Sequence, residues 1–151
     1  MWTLFVDWCA ETLVPLAAAA VLGGVVGWER ESQQKPAGVR TNMLVAVGTA
    51  SFMHLVLEIT EQLSGRPSVE LDPTRLVQGV VQGIGFLGAG VILRREGELQ
   101  GVTTGAAVWT VGAIGAACGA KEYGIAIAAS LLALVALWLV RRVVHTPHPD
   151  N

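Results

Sequence analysis

Charge is scarce in this chain, and that scarcity bounds the problem first. Only 15 % of its 151 residues are Asp, Glu, Lys or Arg, while 52 % are hydrophobic. Soluble domains carry about 25 % charged residues. Basic excess is also missing: the formal net charge is −2, which excludes a strongly basic nucleic-acid binder. Two cysteines, Cys9 and Cys118, and three histidines leave no zinc-ligand spacing. No Ser-His-Asp arrangement and no phosphate loop appears, so an enzyme is not expected and no cofactor is implied. Clustered carboxylates of the kind a dedicated magnesium cage uses are missing from the apolar segments, which offer Glu29 and Glu58 alone. The first residues, Met1-Trp2-Thr3-Leu4-Phe5-Val6-Asp7, lack a basic n-region, so a secretory leader is not expected.

What the chain has is apolar length. Mean hydropathy is +0.54. Five stretches suit membrane spans, which need about 17–25 predominantly apolar residues. They are 13–28, 43–59, 76–93, 102–118 and 123–140. Alternate connections hold seven basic residues (Arg30, Lys35, Arg40, Arg94, Arg95, Arg141 and Arg142) against three (Arg66, Arg75 and Lys121). The positive-inside bias places the richer set in the cytoplasm, the N-terminus outside and the C-terminus inside. The predicted fold is an all-α polytopic bundle of about five transmembrane helices, one domain over 1–143. In residues 1–12, Trp2, Phe5, Val6, Cys9 and Leu13 recur at helical spacing, which suggests a short helix in the outer interface or an extension of the first span. Residues 144–151, with His145 and His148, read as a disordered cytoplasmic tail. Both cysteines fall near the outer face, where a disulfide is open to them; two small apolar packing residues is the preferred reading.

The third stretch is the most unusual. Gly83-x-Gly85-x-x-Gly88 has the form of a dinucleotide fingerprint, but the glycines lie inside an apolar run and threonines, Thr103 and Thr104, stand where the acid belongs. Glycines in a span let another backbone approach, and Gln78 and Gln82 need polar partners in a dry medium. The expectation is a helix at the heart of the bundle, packed through Gly79, Gly83, Gly85, Gly88 and Gly90. Gly23 and Gly27 in the first span and Gly115 in the fourth have the same small-xxx-small character. The fifth span, rich in Leu, Val and Ile, reads as peripheral.

Polar residues at span ends supply the candidate sites. Glu29 and Arg30 close the first span and Arg40, Thr41 and Asn42 open the second; Glu29 and Arg40 can pair across the shared loop, or the set can recognise an ion or a partner. His54 and Glu58 are four apart and share one face, as do Gln78 and Gln82. Together they form a candidate cation or proton site. Thr103 and Thr104 are expected to cap the fourth span.

Two blocks of sequence resemble those of the MgtC/SapB family. The first is Gly27-Trp28-Glu29-Arg30-Glu31 followed by Ala37-Gly38-Val39-Arg40-Thr41-Asn42-Met43 and onward to Phe52. The second is Gly83-Ile84-Gly85-Phe86-Leu87-Gly88-Ala89-Gly90-Val91-Ile92 with Val102-Thr103-Thr104-Gly105-Ala106-Ala107-x-Trp109 and Gly112-Ala113-Ile114-Gly115. The resemblance implies a bacterial inner-membrane protein of about five spans, linked to growth at low magnesium and, in pathogens, to survival in host cells. It implies action on other membrane proteins, the F-type ATP synthase among them. It singles out Glu29, Arg40, Thr41, Asn42, the third-span glycines and Cys118. Longer members carry a soluble C-terminal domain, which is not expected here. The partners to be expected are the bilayer, a second copy in a homo-oligomer (a dimer first) or another membrane protein. A divalent cation is possible, and cation transport is the alternative function.

Overall fold

The computed structural model describes residues 2–64, 72–95 and 98–144. Five helices follow one another: α1 (Trp2–Ser32), α2 (Val39–Leu63), α3 (Pro73–Gly90), α4 (Val102–Gly119) and α5 (Tyr123–Val144). An antiparallel pair of three-residue strands, β1 (Leu93–Arg95) and β2 (Glu98–Gln100), joins α3 to α4. The all-α bundle is as the apolar stretches predict. By length and composition the segments Trp8–Ser32, Val39–Leu63 and Val102–Gly119 can cross a membrane, and α5 contributes the shorter apolar stretch Tyr123–Leu139. α3 is not among these; Arg75, Gln78 and Gln82 lower its apolarity. The tail histidines His145 and His148 lie outside the described residues.

Helix α1 runs through residues 2–12 without a break, so these residues extend the first span rather than forming a helix of their own. Pro15 lies inside it. A proline removes one backbone bond, here to the carbonyl four residues back, yet a buried neighbourhood keeps the helix whole. α1 ends at a turn whose Gln34 has φ 54°. The Lys35 N–H donates to Arg30 O (3.0 Å) and the Gln34 N–H to Glu31 O (2.9 Å). That is a Schellman closure made without glycine. Lys121, at φ 61°, closes α4 in the same way, with Glu122 N–H on Ala117 O at 2.8 Å.

The centre of the bundle is α4, not α3. It touches all four other helices, and ten of its residues are buried. Val111, Ile114 and Cys118 join Ala19, Val26, Ala46, Ala50 and Ala126 in one core cluster. Gly115 and Gly119 let α4 lie on α2: a Cβ at either would fall on the carbonyl oxygen of Ala46 or Ala50. Gly23 and Gly27 do the same where α1 crosses α2, with Ala46 Cβ 2.6 Å from the place a Gly23 Cβ would take. Small residues at a crossing exchange side-chain volume for backbone contact, which drives association where lipid offers no hydrophobic gain. α3 is peripheral. Of its glycines, Gly88 alone meets a neighbour, Gly105 of α4; Gly79, Gly83, Gly85 and Gly90 have nothing within 4 Å of an added Cβ. The expected packing of those four within the chain is therefore not met. Cys9 and Cys118 are both free thiols.

Candidate functional site

Two places collect the polar residues that the bilayer makes expensive. The first is the basic end of the bundle, where α1 stops, α2 starts and α4 begins. Asn42 is fully buried. Its Nδ2 donates to Ala37 O and, at 2.9 Å, to Gly38 O. These bonds hold the α1–α2 turn, in which Ala37 takes φ 61°. The carboxylate that caps α2 is Glu31, whose Oε2 accepts from the Val39 N–H at 2.8 Å. Glu29 and Arg40 do not pair. Arg40 and Thr41 are exposed, and among the described residues the ion pair within 4.0 Å is Arg75–Asp72. The reason is helical phase: two residues along a helix change direction by more than a right angle, so Glu31 faces the turn and Glu29 does not.

Arg30 turns inward. It is 6 % exposed, and its Nη2 donates to Oγ1 of Thr104, 3.1 Å away on α4. Sequence spacing could not reveal a contact 74 residues apart, although an arginine in the last turn of a helix suits the dipole there. Thr103 and Thr104 do not cap α4. The N-cap is Gly101, at φ 87°, and among the described residues no side chain accepts from the first-turn N–H groups. A Cβ on Gly101 would collide with the Val91 carbonyl, so this tight turn requires glycine. Among the described residues three buried polar atoms at this end have no hydrogen-bond partner: Glu29 Oε2, Arg30 Nε and Asn42 Oδ1. Buried polar groups are nearly always satisfied by protein or ordered water, so each of these atoms calls for a partner.

The second place is the outward face of α3. At 3.6 residues per turn, Val77, Ile84 and Gly88 fall on the side turned to the bundle, with Ile84 and Gly88 buried. Gln78, Gly79, Gln82, Gly83, Phe86 and Gly90 fall on the opposite side, and all six are exposed. Phe86 is 80 % exposed. His54 and Glu58 lie on α2; His54 is half-buried and Glu58 accepts a 3.4 Å bond from Gln62. Among the described residues no hydrogen bond links them to Gln78 or Gln82, and no three His, Cys, Asp or Glu side chains group closely enough to hold a metal.

Comparison with known proteins follows the same lines. The sequence profile of the MgtC family matches residues 16–146. Protein MgtC of Brucella abortus (strain 2308) is 38 % identical over 135 residues, covering 89 % of this chain and 53 % of that protein. Protein MgtC of Salmonella typhimurium (strain LT2) is 40 % identical over 129 residues, 85 % of this chain and 52 % of that protein. YhiD of Escherichia coli (strain K12), whose name provisionally calls it a magnesium transporter, is 38 % identical over 128 residues, 85 % of this chain and 60 % of its own length. The chain thus spans little more than half the length of these relatives. No solved structure matches significantly.

Proposed function

The chain belongs to the MgtC family, and from that premise we propose that it is a non-enzymatic regulator in the bacterial inner membrane, acting through helix contacts during adaptation to low magnesium. One observation carries the reading: Gly79, Gly83 and Gly90 and the amides Gln78 and Gln82 of α3 face away from the bundle. Lipid cannot satisfy Gln78 and Gln82, and glycines gain nothing from acyl chains. A helix of another protein or a second copy supplies both needs. Side-chain hydrogen bonds between membrane helices contribute about 0.6 kcal/mol each on average, so packing over Gly79 and Gly83 does most of the holding.

Magnesium itself enters through the names of relatives. A carrier needs oxygen ligands gathered around the ion, and such a gathering would have to come from copies of the chain brought together. Crosslinking in native membranes, followed by identification of what is attached, tests the regulator reading. A Gly83→Leu variant should lose the crosslinked partner while its own fold is unchanged, because the side chain enters open space. Retention of the partner in that variant would refute the proposal. Cation flux into liposomes above the empty-vesicle level would favour the carrier.

A further inference from the structure

We infer that the basic end of the bundle is a binding site for a phosphate group, built from the uncapped first turn of α4 and the buried Arg30 guanidinium. The site is separate from the α3 face and does not depend on it.

Helix α4 is 18 residues long and starts at Gly101 with no side-chain cap. Its first-turn N–H groups therefore keep their partial positive charge, the ordinary setting for an oxyanion. Arg30 is aimed at the same turn, because its Nη2 rests on Thr104, three residues into the helix. It is more than nine-tenths buried, and its Nε has no partner among the described residues. A neutral threonine hydroxyl is a weak counterpart for a buried cation, and no carboxylate among the described residues lies within 4.0 Å of it. An anion that takes Arg30 from Thr104 relieves both deficits at once. Exposed Thr103 and half-buried Gly101 leave the approach to this turn open from the basic end.

The unpaired acceptors narrow the class. Glu29 Oε2 and Asn42 Oδ1 need donors, not further oxygens. A simple carboxylate such as acetate has none. A phosphate that also carries a donor does: a protonated oxygen on free phosphate, or the hydroxyl or ammonium of a phospholipid headgroup. Glu29 and Arg30 together carry no net charge, which suits a ligand with both acceptor and donor ends. The same balance opposes a bare divalent cation, which the guanidinium and the helix N-terminus would both repel.

The test uses the full chain, purified in non-ionic detergent and stripped of lipid. One arm measures thermal unfolding in inorganic phosphate against chloride at matched ionic strength. The other adds phosphatidylglycerol or phosphatidylethanolamine and counts retained lipid by native mass spectrometry. A saturable rise of Tm with inorganic phosphate identifies the free ion; retention and stabilisation by lipid alone identify a headgroup. In either case Arg30→Gln should bind about tenfold more weakly, the loss of one charge-assisted contact. Thr104→Val removes the resting partner of Arg30 and should be less stable alone yet recovered by the ligand. The inference is overturned if neither probe stabilises the wild type above chloride, or if Arg30→Gln responds like the wild type. Should Arg30→Gln not fold, failure of both probes to recover Thr104→Val overturns it equally.

Discussion

Two glycine-to-alanine substitutions should differ in stability, and their difference isolates backbone packing. At Gly23 the added methyl would sit 2.6 Å from Ala46 Cβ and 2.8 Å from Asn42 O. Ordinary contact begins near 3.4 Å, so α1 and α2 must part by about 0.8 Å at their tightest crossing. One of the two obstacles is backbone and cannot rotate away. Overpacking of this kind costs about 1–3 kcal/mol. At Gly83 the same methyl meets nothing within 4 Å. Both substitutions gain helix propensity, about 0.8–1.0 kcal/mol in a helix interior. That gain cancels when the two are compared. Gly83→Ala should therefore be more stable than Gly23→Ala by about 1–3 kcal/mol, with wild type between them or level with Gly23→Ala. Equilibrium unfolding in mixed micelles, at a protein concentration low enough to keep the chain monomeric, measures it. Equal stability of the two variants would show that α1 and α2 do not cross at Gly23, or that α3 is covered in the monomer.

Other consequences follow from single bonds. Asn42→Ala removes both donors that hold the Ala37 and Gly38 carbonyls, and should cost about 1–3 kcal/mol in the same unfolding assay. Glu31→Ala removes the acceptor for the Val39 N–H; hydrogen exchange should quicken at the first turn of α2 and not elsewhere, whereas Glu29→Ala should leave that turn alone. Lys121→Gly relieves a left-handed backbone and should raise stability by about 1 kcal/mol, visible as a higher Tm. Asp72 caps α3 through Thr74, whose side-chain and backbone hydrogen bonds hold its carboxyl below the ordinary value of 3.8. A depressed pKa contributes stability that is complete above the unfolded value and lost as pH falls through the folded one. The first turn of α3 should thus loosen only below about pH 4, and Asp72→Asn should move that loosening out of the titration, as read by amide exchange against pH.

Much of the bundle was legible because membrane insertion constrains sequence so strongly. Apolar runs predict five helices where five stand, and Gly23, Gly27 and Gly115 lie where helices meet. The failures have a common physical origin, which is helical phase. Glycine content says that some backbone approaches a helix and not from which side. Glycine content alone thus predicts α3 at the centre, whereas Gly79, Gly83 and Gly90 point outward and the alanine- and glycine-rich α4 takes that position. Glu29 was paired with Arg40 by charge and proximity in sequence, when Glu31 is the residue in phase with the turn. The Schellman closures at Gln34 and Lys121 carry no glycine to announce them, and the strands at Leu93–Arg95 and Glu98–Gln100 are too short to show an alternating pattern.

The same phase argument bears on how the two candidate sites relate. α4 is the element common to both: its first turn receives Arg30, and Gly105 and Gly112 on its flank receive Gly88 and Ile84 of α3. Thr104 and Gly105 are adjacent, so a ligand that draws Arg30 away from Thr104 acts one residue from the place where α3 is seated. If α4 transmits the change, occupancy at the basic end and a partner on the outer face of α3 should alter one another's affinity through a single helix turn. Coupling of this kind is reciprocal: a ligand that strengthens partner binding must itself bind more tightly when the partner is present. Measuring crosslinking yield with and without phosphate, in wild type and in Arg30→Gln, decides it. Equal yields in all four conditions would mean that the two sites sit on a rigid α4 and ignore each other.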